Sequence, residues 1–502
     1  MATIFNLTAL ESSSKVCSNN SIPVKKQELK AAARTFSVTA KIGQETSGQT
    51  GSKIGKIYGD LKSTIVLLEY GDTKLCFLTS PLGVEGGLNS ASRVLIAKEL
   101  GLDKTQVVAA CSHDHTVPSV SVRNPEAWGL PGDFPPKSES NEISRDFLEG
   151  LASASKGLDK ELVPVTVEWG ITHEDRLTYN RRGKREDGTS YFIREEDRLE
   201  LGEGYIGKID PDAMVVILRS KKGNPVTALT FYTGHPVSGY NPEEMVSFGQ
   251  WPQVASEKLS AYLGGIPVAF FQGCCGDINS KYMLTGTIEQ SRQLGEYLGD
   301  SFIAAAKNLH RSQRTDLKWA RKNVNIPFAE LPDPSSLKLD LASINDFISR
   351  GNAGDENTMK CVGMNFPKAL TPPYRARLVA MVRPWYEWAI EQYRTGKAAE
   401  VPKYFPIEIV VAQFGDVGFV GMPFEAFVRT GLKIKEEAPL PCVFTSGYTD
   451  GGNGYIPDAS ACNDREYMAG FFRYTGNRPP YKAPGGDAVA EVAVPVLKDF
   501  SK

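Results

Sequence analysis

The chain has 502 residues, and its 57 Lys+Arg nearly cancel its 59 Asp+Glu, for a formal net charge of −2. That balance argues against a nucleic-acid binder, which would carry a basic face. Apolar residues make up 41% and charged residues 23%, ordinary globular usage that excludes global disorder or a coiled coil and leaves enough apolar surface to enclose a deep pocket.

Residues 1–35 are polar and read as a flexible N-terminal segment; 36–502 read as one domain without a composition break. The N-terminus lacks a basic region followed by a long apolar core, so it makes a poor secretory signal. Its Ser-rich, Lys-containing text keeps an organelle transit peptide as an alternative to a cytoplasmic chain. The runs Ile65–Tyr70 and Lys74–Thr79 flank Gly71-Asp72, a hairpin signal. Ala91–Leu100 reads as a helix closed by Gly101, and Val107–Cys111 as a short buried strand. Residues 134–145 read as a surface loop and Ser144–Lys156 as a helix. Glu174–Tyr205, dense in charge and glycine, reads most simply as a solvated loop. Strands follow near Ala213–Leu218, Val226–Tyr232 and Val268–Gln272, with helices at Pro252–Leu263 and Ile288–Leu309. A Pro-rich stretch precedes one long amphipathic helix at Tyr374–Arg394. Strands resume at Ile407–Ala412, Val417–Val420 and Cys442–Ser446, and a last helix runs from near Asp487 to Leu497. The alternation predicts an α/β architecture of mixed β-sheets layered with helices.

Eight cysteines are spread along the chain with no CxxC pair, which predicts reduced thiols and an intracellular compartment. No run of 18 apolar residues occurs, so no membrane span is predicted. Neither nucleotide fingerprint, G-x-G-x-x-G after a strand nor G-x-x-x-x-G-K-[ST], is present. The S-x-x-K pattern at Ser12–Lys15 lies in the polar N-terminus. The vicinal Cys274-Cys275 pair has no cationic neighbour in sequence to activate a thiolate.

The informative feature is positional. Val107–Cys111 leads into Ser112-His-Asp-His115, Val226–Tyr232 into Thr233-Gly-His-Pro236, and Val268–Gln272 into Gly273–Asn279. Val417–Val420 leads into Gly421-Met-Pro-Phe-Glu425, and Cys442–Ser446 into Gly447–Tyr455. Ligands of α/β sheets bind beyond the carboxyl ends of strands, so these five ends could converge on one site. Histidine is scarce, five in the chain, and three of them lie in these clusters. In extended geometry His113 and His115 point to one side, and neutral imidazole with carboxylate suits zinc. A lone His-x-His also serves as hydrogen-bonded structure, Glu425 could be a helix N-terminal acid, and Tyr455 a packed turn aromatic. Spacing alone does not assemble a site.

Taken together and in order, the motifs resemble the catalytic domain of the neutral (non-lysosomal) ceramidases over residues 36–500. Ser112-His-Asp-His115 resembles that family's S/T-H-T-H-S-G-P, and Tyr179-Asn-Arg-Arg182 its N-R-S or N-R-R element. Gly207–Pro211 is similar to G-P-[VI]-D-P, Thr233–Pro236 to T-H-P, and Gln272–Asn279 to the glycine-rich turn. Gly421–Glu425 is similar to G-x-P-G-E, and Gly454-Tyr455 with Glu466-Tyr467 to G-Y-x-x-T followed by Y-E. The resemblance implies a zinc ion held by His113, His235, Glu425 and Tyr455. It assigns carbonyl contacts to His115, Arg181 and Tyr467, with Arg181 delivered by the charged loop after Glu174. Zinc would polarise a carbonyl and acidify a bound water.

The departures shape the expected function. Asn279 fills the slot of the family's serine nucleophile, and Ser280 would point elsewhere in an extended register. Attack by metal-activated water is therefore expected, not a seryl intermediate. The S-G-P of the histidine motif is Thr116-Val-Pro118, and Phe424 replaces the glycine of P-G-E, with bulk that would narrow the pocket. No stretch matching the C-terminal sandwich domain of the family's long forms follows residue 500. The expected protein is a soluble zinc hydrolase cleaving an amide (or ester) bond of a small or N-acyl substrate. The alternatives are a zinc Lewis-acid lyase, isomerase or cyclase on the same scaffold, and a non-catalytic binding relative.

Overall fold

The computed structural model describes residues 27–48, 51–82, 86–129, 139–240 and 244–502. Residues 1–26, and with them Ser12–Lys15, lie outside this set, as do residues 134–138 of the expected loop at 134–145, whose last residues, 142–145, are helical. The largest sheet contains β1 (Leu29–Val38), β2 (Leu61–Tyr70), β3 (Thr73–Ser80), β4 (Val107–Cys111), β5 (Val163–His173), β6 (Asp212–Ser220), β7 (Pro225–Tyr232) and β8 (Val268–Gln272). Their spatial order is β8-β7-β6-β5-β1-β2-β3-β4, with the short strand His310–Arg311 added on β5. A second sheet of β9 (Leu317–Pro327), β10 (Tyr404–Phe414), β11 (Val417–Gly421) and β12 (Cys442–Ser446) has the order β9-β10-β11-β12.

The two sheets face each other. Alternate residues such as Val66, Leu68, Phe77, Phe231 and Phe271 meet Phe414, Phe419 and Phe444 of the second sheet in one core. The intervening residues Ile65, Leu67, Cys76 and Leu78 face outward onto α1 (Gly86–Leu100) and α2 (Glu142–Ser155). The outward side chains of β6, β7 and β8 pack on α4 (Gln250–Tyr262) and α5 (Ile288–Lys307), which follow the short α3 (Glu195–Leu201). The far face of the second sheet is covered by α9 (Val428–Glu437) and α10 (Ala488–Phe500). Continuous apolar runs such as Ile65–Leu68 arise because both faces of the strand are buried. The result is a layered α/β architecture of mixed sheets, as the sequence predicts.

Several sequence expectations are corrected. The boundary at residue 35 falls inside β1, which pairs with β2 over its whole length and buries Leu29, Ala31 and Ala32 between two cores. The stretch 174–205 is not a solvated loop. It contains strands Thr178–Asn180, Arg182–Lys184 and Ser190–Phe192 and then α3, and it buries Arg181, Arg194 and Arg198. The expected helix at 374–394 is two helices, α7 (Pro372–Ala380) and α8 (Arg383–Arg394), which follow α6 (Pro334–Asn352). Pro384 lacks the N–H that a continuous helix needs and instead sits in the first turn of α8. Among the described residues no helix is long and apolar enough to cross a membrane, and the seven described cysteines are free and buried.

Candidate metal centre

Three parallel strand pairs set the position of the centre. Ser80 of β3 lies opposite Cys111 of β4, Tyr232 of β7 opposite Gln272 of β8, and Gly421 of β11 opposite Ser446 of β12. Each pair therefore releases its chain at a common edge. Gln272 ties the edges together: its Nε2 donates to Ser112 O at 3.0 Å and to Gly234 O, and its own carbonyl accepts from Gly447 N at 3.1 Å. All five polar clusters thus meet beyond the strand ends.

His113 and His115 do converge, with their Nε2 atoms 3.2 Å apart, but not through extended alternation. His113 is left-handed, with φ 59°, and the chain turns there. Asp114 Oδ1 stabilises the turn by accepting from Thr116 N (2.8 Å), Thr116 Oγ1 (2.9 Å) and Gln250 Nε2 (2.7 Å). Burial pushes the Asp114 carboxyl up to about 7.

His235 is fully buried, and its Nδ1 donates to the carbonyl of Cys275 at 2.7 Å. Desolvation holds this imidazole, like His113, well below the ordinary histidine range, and it pushes His115 down to about 4. All three rings are therefore neutral near pH 7, which is the ligating form. With its proton on Nδ1, His235 turns the lone pair of Nε2 toward Glu425 Oε2, 3.1 Å away. His113 Nε2 lies 3.5 Å from the same oxygen. A cation placed between them would satisfy both the lone pair and the carboxylate. The donor atoms of His113, His115 and His235 all lie within 4.8 Å of one another and could hold a metal ion.

Glu425 belongs to a two-residue strand in parallel register with Tyr455, so the carboxylate and the phenol emerge side by side. Glu425 is not a helix N-terminal acid; Asp277 Oδ1 accepts from Val428 N at 2.7 Å and caps α9 in its place. Phe424 points the other way, into the core beneath the second sheet, where its ring is 5.7 Å from that of Phe405. It therefore does not narrow the centre.

Arg181 is 2% exposed. Its Nε and Nη2 both donate to Gly276 O, its Nη1 donates to Asn279 Oδ1 at 2.9 Å, and Nη2 also reaches Tyr455 Oη at 3.0 Å. The Tyr455 ring lies parallel to His235, centroids 6.2 Å apart. Burial holds the Tyr455 phenol well above its ordinary range, partly opposed by Arg181, so a phenolate there needs a cation. Tyr467 forms the adjoining wall, 5.8 Å from the Tyr455 ring and stacked on Phe192 at 6.1 Å. Ser280 is turned away, its hydroxyl accepting from Val237 N at 3.2 Å. Desolvation pushes the Cys274 thiol up to about 12 and Cys275 well above the ordinary thiol range, so neither is an activated nucleophile.

The sequence reading missed Gln272, Asp277 and Tyr448 as neighbours of this centre. Gln272 ends the strand β8, and Asp277 and Tyr448 lie within the polar clusters that follow β8 and β12; that position was the signal available.

No protein-family profile matches the chain, and no curated protein matches it. Solved structures do. The neutral ceramidase of Pseudomonas aeruginosa superposes with a TM-score of 0.60 at 14% identity, covering 94% of this chain and 75% of that one. A ceramidase complexed with C2 superposes with a TM-score of 0.63 at 15% identity, covering 95% of this chain and 75% of that one. The chain therefore has a neutral ceramidase-like fold, and its strand-end histidines meet at the carboxyl edges of that fold's sheets.

Proposed function

We propose that this protein is a zinc-dependent hydrolase that cleaves the amide (or ester) bond of a small or N-acyl substrate. The observation that carries this reading is His235 Nε2 facing Glu425 Oε2 at 3.1 Å while its Nδ1 proton is committed to Cys275 O. The likeness of fold to two ceramidases supports the choice of an amide bond. Imidazoles with a carboxylate and a phenol suit zinc better than magnesium or calcium, which prefer all-oxygen shells. His113, His235, Glu425 and Tyr455 would hold the ion, which when bound polarises a carbonyl oxygen and acidifies water.

The remaining residues act on the substrate side. His115, neutral at pH 7, can donate from a ring nitrogen to a developing oxyanion, and the Tyr467 hydroxyl can donate beside it. One good donor of this kind is worth about 2.7–4 kcal/mol in the transition state. Arg181, expected to contact the carbonyl, is instead read as a positioning residue, because its buried guanidinium is bonded to Gly276 O, Asn279 Oδ1 and Tyr455 Oη. With Ser280 turned away and Asn279 bound to Arg181, water is the nucleophile and no acyl-enzyme forms.

Metal analysis by mass spectrometry and incubation with a panel of N-acyl amides test this. The wild-type protein should carry close to one equivalent of zinc, and the products should together exceed the substrate mass by one water. His235→Ala should lose the zinc. Arg181→Ala should bind zinc roughly 10–100-fold more weakly and lose turnover, because the Tyr455 phenol and Asn279 that it positions are released. Less than half an equivalent of zinc after supplementation, or a product of unchanged mass, overturns the reading.

A further inference from the structure

Tyr448 lies two residues beyond β12 and has no role in the assignments above. Its backbone is left-handed, φ 51°, a conformation uncommon for an aromatic residue. The fold holds it there from two sides: Tyr448 N donates to Phe424 O, in the turn after β11, at 3.0 Å, and Tyr448 O accepts from Cys111 N of β4 at 3.2 Å. Two residues on, Asp450 N donates to Ala109 O at 2.7 Å. The fully buried side chain is thereby inserted among the histidines. Its ring stacks on His113, with centroids 4.6 Å apart and planes 15° apart. Its hydroxyl lies 3.4 Å from Glu425 Oε2, 3.5 Å from His235 Nε2 and 3.1 Å from Cys275 Sγ.

These distances have a geometric meaning. Zinc–nitrogen bonds of about 2.0–2.1 Å in a tetrahedron put neighbouring donor atoms roughly 3.3 Å apart. His235 and His113 lie 3.1 and 3.5 Å from Glu425 Oε2, at that spacing. The Tyr448 hydroxyl keeps the same spacing to Glu425 and His235. Tyr455 Oη accepts from Arg181 Nη2.

Building on the zinc reading, we propose that Tyr448 is a positioning residue of the metal centre, its hydroxyl donating to Glu425 Oε2 and its ring fixing the plane of His113. The Cys275 thiol can donate to the phenol oxygen, leaving the phenolic proton directed at the carboxylate. Glu425 is then presented to the ion through one fixed oxygen, and His113 cannot rotate away from it. Partners of this kind typically change metal affinity by 10–100-fold when removed.

The test uses the full chain loaded with zinc and, separately, with cobalt(II). Tyr448→Phe keeps the ring and its stack and removes only the hydroxyl. It should release zinc to a chelator about 10–100-fold faster than wild type. It should also shift the visible bands of the cobalt form, while the far-ultraviolet circular dichroism of the metal-free protein stays unchanged. Cys275→Ala should shift the cobalt bands in the same direction, and Cys275→Ser, which retains a donor, should match wild type. The cysteine pair decides the matter if Tyr448→Phe does not fold. Wild-type zinc release and an unshifted cobalt spectrum in Tyr448→Phe, or in Cys275→Ala where the tyrosine variant does not fold, overturn the proposal and leave the hydrolase reading standing. A wild-type protein that takes up neither metal removes both.

Discussion

Glu466 precedes Tyr467 and is wholly buried, with Oε1 accepting from Ala469 N at 2.9 Å and Oε2 from Met468 N. Desolvation outweighs these bonds and pushes its carboxyl up from 4.5 to about 7. Between those values the native chain holds a proton that the unfolded chain releases. Stability from this group is therefore fully present below pH 4.5 and falls as pH rises through 7. Replacing it with Glu466→Gln should make the unfolding free energy fall less between pH 5 and 8 than in wild type, by up to roughly 3 kcal/mol. Urea titrations at the two pH values measure it; equal drops in both proteins would place the titration elsewhere. Individual residues differ in how legible they are. His113, His115, His235 and Glu425 stand out in the sequence because histidine is rare and each follows an apolar run. Tyr448 occupies the same kind of position, but an aromatic after glycine reads as an ordinary turn residue. Only the left-handed backbone and the stack on His113 distinguish it.

The turn Gly273–Asn279 carries most of the centre's scaffolding. It supplies Cys275 O to His235, Gly276 O to Arg181, Asn279 to Arg181, and Asp277 to the first turn of α9. Gly276 is required by close approach: a Cβ there would sit 2.3 Å from Glu425 O and 3.0 Å from Ala426 O, both backbone atoms that cannot swing aside. Gly276→Ala should cost about 1–3 kcal/mol and loosen zinc, because the displaced segment carries Glu425. Gly204→Ala, with nothing within 4 Å of its Cβ, should stay within about 0.5 kcal/mol of wild type. Thermal melts and zinc stoichiometry of the two variants separate the effects. Among the elements, strands buried on both faces were visible as unbroken apolar runs. Strand β5 and the short strands of 174–205 were not. Their text is polar or interrupted, and their burial comes from partners distant in sequence. Asn180 and Ile278, for example, pair across the sheet formed by residues 178–180 and 278–280. The break between α7 and α8 was readable in principle from Pro384 and was obscured by the amphipathic repeat around it.

Across the whole molecule, the residues that would hold the ion follow strands of both sheets and lie in segments as far apart as 113 and 455. An ion bound there ties together ends that would otherwise separate on unfolding. Zinc at a hundredfold excess over its Kd should therefore add about 2.7 kcal/mol to the stability of the metal-free protein. The gain should vanish in His235→Ala, and chemical denaturation with and without zinc reads it. A zinc effect of equal size in that variant would locate the ion elsewhere.

The sequence alone determined the α/β class, the main buried strands, and which strand ends carry chemistry. Each of these is written in local patterns: apolar runs, their punctuation, and a rare residue type at a fixed place. Tertiary structure decided which atoms meet. The left-handed turn at His113, the direction of the His235 proton, the burial of Arg181 and the insertion of Tyr448 depend on contacts between segments far apart in sequence, from 40 residues for His235 and Cys275 to 335 for His113 and Tyr448. Side-chain direction at such positions is set by packing and by backbone bonds from both sheets, not by any preference encoded next to the residue.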